Sequence, residues 1–148
     1  MKIMGLDYGA KTVGVAMTDE LLMTVQNVET IEREQEKKLR RTLARIEELV
    51  RRNDVSKIVL GLPLTMEDQM GERAQKTLYF KSLLEKRVNI PVILHNEQLT
   101  TRAADEILDE MGIDHRDRKK VIDQIAANII LTDFLSNEYK QKECEEAQ

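Results

Sequence analysis

The N-terminal third of the chain alternates between short apolar runs and brief polar breaks, which is typical of β-strands. Residues 2–8 and 12–18 are two such runs, separated only by residues 9–11. This short link predicts a hairpin. Five β-branched side chains within residues 21–31 predict a third strand. The chain is therefore expected to open with three consecutive strands.

The pattern then becomes helical. Leu39, Leu43 and Ile46 are spaced by four and three residues, so residues 35–52 are predicted to form an amphipathic helix. Residues 57–62 are apolar after the first position and predict a buried parallel strand. The remaining elements are predicted as a loop at 63–71, a strand at 91–95, and helices at 72–87, 99–111 and 121–142. The order β-β-β-α-β-α-β-α-α favours an α/β fold with a mixed sheet and helices on its faces.

The composition is that of a globular domain. The chain has 148 residues, of which 41% are hydrophobic, and this suits a single domain at 1–142 with a polar tail at 143–148. The 23 Lys and Arg against 27 Asp and Glu give a net charge of −4, which excludes a simple polycation but leaves room for a local basic patch. Five aromatic residues argue against a base-stacking platform such as an RRM, and a single cysteine excludes an internal disulfide and a thiolate zinc site.

The expected location is the cytoplasm, without membrane association. No apolar stretch approaches the ~20 residues needed to span a bilayer. Residues 1–7 lack the long apolar region of a signal peptide. The expected oligomeric state is a monomer or a weak homodimer.

Three carboxylates stand where a site could form. Asp7 ends an otherwise apolar strand, where a buried carboxylate is costly unless it is paired or binds a metal, although it could also form a turn before a glycine. Glu97 follows the last predicted strand, at the kind of strand end where α/β sheets bind ligands, or else it is a solvated loop acid or caps a helix. Asp123 lies in the first turn of the last predicted helix, which the helix dipole favours. Two alanines three and four residues later would let that helix approach the sheet closely.

If these three carboxylates converge, they repel one another unless cations neutralise them. Oxygen ligands select Mg²⁺ or Mn²⁺ rather than zinc. Two such ions about 3.5–4 Å apart would bind the attacking and leaving oxygens during phosphodiester hydrolysis, so no protein nucleophile would be required. The hypothesis is a nuclease with two Mg²⁺ or Mn²⁺ ions, in which Asp7, Glu97 and Asp123 are both the catalytic residues and the metal ligands.

Four sequence blocks resemble the YqgF/RuvX family of RuvC-like Holliday junction resolvases. Residues 5–16 (GLDYGAKTVGVA) resemble the opening of that family. The other blocks follow in the family's order and are GLPL at 61–64 with GERA at 71–74, NEQLTT at 96–101, and IDQIAA at 122–127. Together they cover nearly the whole chain.

The resemblance implies an RNase H-like fold, with a five-stranded mixed sheet in the order 3-2-1-4-5 flanked by helices. It also implies metal-dependent cleavage of structured nucleic acid, either at the 5′ end of the small-subunit (16S) rRNA precursor or at four-way DNA junctions. The implied partners are therefore structured RNA or branched DNA. The family's acidic positions fall on Asp7, Glu97 and Asp123.

Several positions depart from the family pattern. Thr12 and Gln98 stand where the family often has Arg, Asn96 where it often has Asp, and Glu72 where it often has Pro. The two missing cations weaken the expected grip on phosphates. The metal-ligand set is intact.

Five basic residues are candidates for nucleic-acid contacts: Lys11, Arg73, Arg116, Arg118 and Lys119. The first two follow glycines in loops and match family positions, and the other three lie in the connector before Asp123. Both groups could instead be ordinary solvated charge. His95 ends a strand two residues before Glu97 and is predicted to be a hydrogen-bonded histidine rather than a site residue.

Two other functions stay open. Residues 7–11 (DYGAK) also resemble the phosphate loop of sugar kinases and actin-like ATPases, but those enzymes close two related domains around ATP and this chain has residues for only one. A ribosome-assembly or RNA-binding module without catalysis is the other, and the missing Arg positions favour it. Such a module would bind the rRNA precursor equally well without metal and would not cleave it.

Overall fold

The computed structural model describes residues 1–63, 71–96, 109–114 and 125–138. Its strands and helices are β1 (Lys2–Tyr8), β2 (Thr12–Thr18), β3 (Val25–Glu32), α1 (Arg40–Asn53), β4 (Val55–Leu62), α2 (Glu72–Glu85) and β5 (Val92–Asn96). Residues 125–138 form one further helix, called the C-terminal helix below. Within these ranges no helix is long and apolar enough to span a membrane. Most of the predicted loop at 63–71, most of the predicted helix at 99–111 and the tail at 143–148 lie outside the described residues.

The five strands form one mixed sheet in the order β3-β2-β1-β4-β5, as predicted. The central strand β1 pairs antiparallel with β2 and parallel with β4, and β4 pairs parallel with β5. Leu6 pairs with Leu60, and Leu60 pairs with Leu94. The carboxyl ends of β1, β4 and β5 therefore lie at one edge of the sheet, which is where open α/β sheets bind their ligands.

The predicted bounds of β1 and β2 are confirmed, whereas β3 and α1 begin later than predicted. β3 starts at Val25, because the Asp19 carboxylate accepts hydrogen bonds from the backbone N–H groups of Met23 and Thr24, at 2.8 and 3.3 Å, and holds a turn before it. These hydrogen bonds lower the pKa of Asp19, and the bond from the Met23 N–H has the largest effect. α1 starts at Arg40, because the segment before it is held against the turn that follows β1, as described below.

Side chains of β1 alternate between two apolar layers. The side chains that point to the layer of α1 and α2 are Met4, Leu6 and Tyr8. Ile3, Gly5 and Asp7 lie on the other side of the strand, where the C-terminal helix packs through Ile130 and Leu131. Asp7 therefore shares its face of the sheet with the C-terminal helix.

The C-terminal helix approaches β1 closely at Gly5. A Cβ atom on Gly5 would lie 2.9 Å from the Ala127 carbonyl oxygen and 2.9 Å from the Leu131 Cβ. Both separations are shorter than carbon contacts allow, so the helix packs here because residue 5 is glycine. Ala126 and Ala127, which predict a small helix face, are both buried.

Candidate active site at the carboxyl end of β1

Asp7 is the penultimate residue of β1, where the central strand reaches the edge shared with β4 and β5. Its neighbour across the antiparallel pair is Gly14, which has no side chain to cover it. Asp7 is half-buried. The central strand thus presents a carboxylate at the sheet edge, on the side covered by the C-terminal helix.

No described side chain forms a hydrogen bond or an ion pair with the Asp7 carboxylate. A half-buried carboxylate loses hydration, and that loss is costly unless a cation or a hydrogen-bond donor compensates it. The chemistry of the group suits a hard divalent cation, which prefers carboxylate oxygens. Asp7 therefore fits the role of metal ligand that the sequence predicts for it.

The other two predicted metal ligands, Glu97 and Asp123, lie outside the described residues. Glu97 directly follows Asn96, the last residue of β5, and Asp123 precedes the first described residue of the C-terminal helix by two positions. The part of the chain that the structure describes contains no group of three acidic, His or Cys residues able to hold a metal. The convergence of the three acids stays a prediction.

His95 joins β5 to the C-terminal helix on the Asp7 side of the sheet. Its Nε2 atom lies 2.7 Å from the Asp133 carboxylate, and its ring meets Phe134 edge-on at 6.0 Å between centroids. The prediction of a hydrogen-bonded strand-end histidine is confirmed. The contact ties the strand that precedes Glu97 to the helix that follows Asp123.

The turn after β1 is held by Arg33, a residue that sequence reasoning missed. Its Nη2 donates to the carbonyl oxygens of Gly9 and Ala10, at 2.6 and 2.8 Å, and its Nε donates to the Glu36 carbonyl oxygen at 3.2 Å. The guanidinium also lies 4.9 Å from the centroid of the Tyr8 ring. Arg33 is buried, and the resulting loss of hydration lowers its pKa. Its Nη1 is buried without a partner among the described residues.

The two described candidates for nucleic-acid contacts differ in their surroundings. Lys11 is exposed at the turn, and its side chain has no partner among the residues described. Arg73 instead forms an ion pair with Glu36 at 2.8 Å, donates to the Tyr8 carbonyl oxygen at 3.2 Å and lies over the Tyr8 ring. Lys76 also forms an ion pair with Glu36. Lys76 and Arg73 lower the pKa of the Glu36 carboxyl, and Lys76 has the larger effect. Arg116, Arg118 and Lys119 lie outside the described residues.

We expect Arg33→Lys to destabilise the protein by about 1–2 kcal/mol. A lysine ammonium group cannot donate to both turn carbonyl oxygens and also lie over the Tyr8 ring as the planar guanidinium does. The measurement is the free energy of unfolding from urea titration. Arg41→Lys, at an exposed position of α1, is the matched control and should leave it within about 0.5 kcal/mol. Equal stability of both variants would contradict a structural role for the Arg33 guanidinium.

Known proteins match the chain over most of its length. A family model described as "RuvX: Holliday junction resolvase" matches residues 1–137. A relative from Lachnospira eligens, named "Putative pre-16S rRNA nuclease", is 49% identical over 140 residues, which make up 95% of this chain and 100% of the relative. A relative of the same name from Bacillus subtilis is 42% identical over 137 residues, covering 93% of this chain and 99% of the relative.

The fold is similar to that of a solved RuvC from T. thermophilus in complex with a Holliday junction substrate. The TM-score is 0.56 and the sequence identity 14%, over 88% of this chain and 92% of that chain. A likeness at this identity shows the fold alone, and it agrees with the predicted RNase H-like sheet order. Because the family model and the relatives span nearly the whole sequence, the chain belongs to the RuvX family.

Proposed function

We propose that this chain is a metal-dependent endonuclease that cleaves the 5′ region of the small-subunit (16S) rRNA precursor. Asp7, Glu97 and Asp123 would hold Mg²⁺ or Mn²⁺, with two ions as the proposed number. The single observation that carries the proposal is the half-buried Asp7 carboxylate, which has no described partner at the carboxyl end of the central strand. The names of the relatives from L. eligens and B. subtilis support rRNA precursor as the substrate.

Three features of the described fold support a convergence of the acids. Asp7 follows Gly5 by two positions on one face of β1, and Ala127 lies against Gly5 on that face. Asp123 precedes Ala127 by four residues, and the predicted helix 121–142 would place the two one turn apart. His95 fixes β5 to the same helix through Asp133. The strand that leads to Glu97 is thus bonded to the helix that follows Asp123, and that helix packs against β1 at Gly5.

The residues of this chain would divide the work by charge. Bound Mg²⁺ or Mn²⁺ supplies a Lewis acid that activates water and stabilises the oxygen leaving phosphorus. The three carboxylates would hold that charge beside the strand end. Lys11, on the turn that Arg33 holds rigid, would bind a neighbouring phosphate and orient the scissile bond. No described residue needs to act as a nucleophile.

A panel of nucleic acids with metal titration tests this function. We expect the purified protein to cleave RNA that carries the 16S precursor extension in Mg²⁺ or Mn²⁺, and chelation with EDTA to reduce the rate at least about 100-fold. Cleavage that persists in EDTA would contradict metal dependence. Equal binding of the precursor with and without metal, without cleavage in either ion, would favour the non-catalytic module.

The second candidate function is resolution of four-way DNA junctions. The description of the matching family model favours it. In the same panel, a four-way junction cut at least about tenfold faster than the precursor RNA would replace rRNA with branched DNA as the proposed substrate. Metal dependence and the role of Asp7 would stand in either case.

A further inference from the structure

A cationic groove of about 730 Å³ lies between α1 and α2. It lies on the sheet face opposite Asp7, because its apolar floor is formed by Leu39, Leu43 and Leu83, which belong to or pack against the layer of α1 and α2. Among the described lining side chains, five are cationic and Glu36 is the only acid. In a chain with a net charge of −4, this is a local excess of positive charge.

Three of the five cations have no acidic partner among the described residues. They are Lys37, Arg40 and Lys86, and all three are exposed. The other two are already paired, since Lys76 lies 3.3 Å from Glu36 and Arg87 lies 3.4 Å from Glu47. The groove therefore carries about three uncompensated positive charges that can bind an anionic ligand.

An exposed aromatic ring completes the lining. Tyr79 is 63% exposed and borders the groove, whereas Tyr8 is buried and stacked on Phe80 with 4.4 Å between centroids. Exposed aromatic rings beside cationic side chains are the elements that bind single-stranded nucleic acid, because bases stack on the ring and phosphates pair with the cations.

The groove and the candidate active site meet at the same strand end, on opposite faces of the sheet. Tyr8 lines the groove and directly follows Asp7 in β1. From Lys76 to Lys86 the lining follows ten residues of helical and turn structure, a length of about 15 Å at helical rise. A nucleic-acid strand that leaves the carboxyl end of β1 could cross the sheet edge at Tyr8 and continue along α2.

We propose that this groove binds a single-stranded RNA segment that flanks the cleavage point, with phosphates on Lys37, Arg40 and Lys86 and a base stacked on Tyr79. The inference rests on the proposed function, because the flank belongs to the substrate cleaved at Asp7. An acidic peptide would also match the charge, but it would leave the exposed Tyr79 ring without a stacking partner.

The test measures binding of a fluorescently labelled 12-nucleotide single-stranded RNA by anisotropy in EDTA, where cleavage does not interfere. Lys37→Gln/Arg40→Gln/Lys86→Gln is expected to weaken binding at least about tenfold at 50 mM salt. The slope of log affinity against log salt should shrink by about 2, which is about 0.7 for each lost phosphate contact. The matched control, Lys2→Gln/Arg41→Gln/Arg51→Gln, removes the same charge outside the groove and should change the slope by less than about 0.5, which is less than one phosphate contact.

Two single variants separate the roles of stacking and charge. Tyr79→Leu should weaken RNA binding about tenfold without changing the salt slope, because it removes a base contact and no cation. Glu36→Gln should tighten binding, because it removes the acid of the groove and releases Arg73 and Lys76 from their ion pairs. Unchanged melting temperatures would show that each variant is folded.

Several outcomes would contradict the proposal that the groove binds RNA. Equal losses in the groove and control triple variants would assign RNA binding to net charge alone. Displacement of the RNA by poly-glutamate at equal phosphate and carboxylate concentration, or equal binding of all variants, would also reject it. DNA of the same sequence that binds at least about tenfold more tightly than the RNA would reject RNA as the occupant.

The groove and the nuclease can fail separately. If the wild-type protein cleaves the precursor but the groove variants bind and cleave as it does, RNA binding by the groove is rejected and the nuclease function is retained. If Asp7→Asn leaves cleavage intact while the groove variants lose RNA binding in EDTA, the catalytic assignment is wrong and the groove stands.

Discussion

Asp7→Asn is expected to lower the single-turnover rate of RNA cleavage by at least about 1,000-fold, or about 4 kcal/mol in activation free energy. The amide has nearly the same shape as the carboxylate, but it carries no charge to hold a divalent cation. The melting temperature should stay within about 2 °C of the wild type or rise slightly, because the Asp7 carboxylate has no described partner whose bond would be lost.

The control for this variant is Asp54→Asn. Asp54 caps the C-terminus of α1 at φ 52°, a left-handed conformation that asparagine also accepts. The exposed Asp54 carboxylate lies just before β4, at the end of the sheet opposite the candidate site. Asp54→Asn removes the same charge as Asp7→Asn, and we expect it to cleave RNA at the wild-type rate. Wild-type cleavage by Asp7→Asn would reject the carboxylate as a metal ligand.

Glu97→Gln and Asp123→Asn extend the same experiment to the predicted ligands outside the described residues. If the three acids form one metal site, each single variant should lose about as much activity as the triple variant, because groups that act as a unit are not additive. Multiplying losses would instead show that the three acids act independently.

The sheet could be predicted from the sequence because its signals are local. Apolar runs broken by short polar links fix β1 and β2 to the residue, and the sheet order followed from the family resemblance. The start of β3 could not be predicted, because it depends on which backbone N–H groups the Asp19 carboxylate binds. Side-chain bonds of this kind compete with strand formation and leave no periodic trace.

In the candidate site, too, some residues could be predicted from the sequence and others could not. Asp7 stands out in the sequence as an acid at the end of an apolar strand. Arg33 does not stand out, because its bonds to Gly9 and Ala10 span 24 and 23 positions and its neighbours are also charged. Arg73 illustrates the converse. The sequence predicts a phosphate contact, and the fold gives the side chain an ion pair with Glu36, which a phosphate would have to replace.

Gly5→Ala is expected to lower both stability and cleavage. The new methyl group would lie 2.9 Å from the Ala127 carbonyl oxygen and from the Leu131 Cβ. Neither of these atoms can move away by a change of side-chain rotamer, because one is a backbone oxygen and the other is a Cβ atom attached directly to the backbone. The C-terminal helix must therefore move away from β1. Overpacking of this kind costs about 1–3 kcal/mol, which corresponds to a fall in melting temperature of about 2–12 °C for a chain of this length.

The cleavage rate distinguishes this steric effect from a general loss of stability. Gly112→Ala is the comparison, because its Cβ would meet no described atom within 4 Å and its cost comes from the backbone at φ +68°. We expect Gly112→Ala to lose about 1 kcal/mol of stability and to cleave normally at 25 °C. Gly5→Ala should cleave at least tenfold more slowly even where it is fully folded, because the displaced helix is the one that follows Asp123. A Gly5→Ala protein that melts and cleaves like the wild type would show that the helix does not depend on this close approach, and the acids would then need another way to meet.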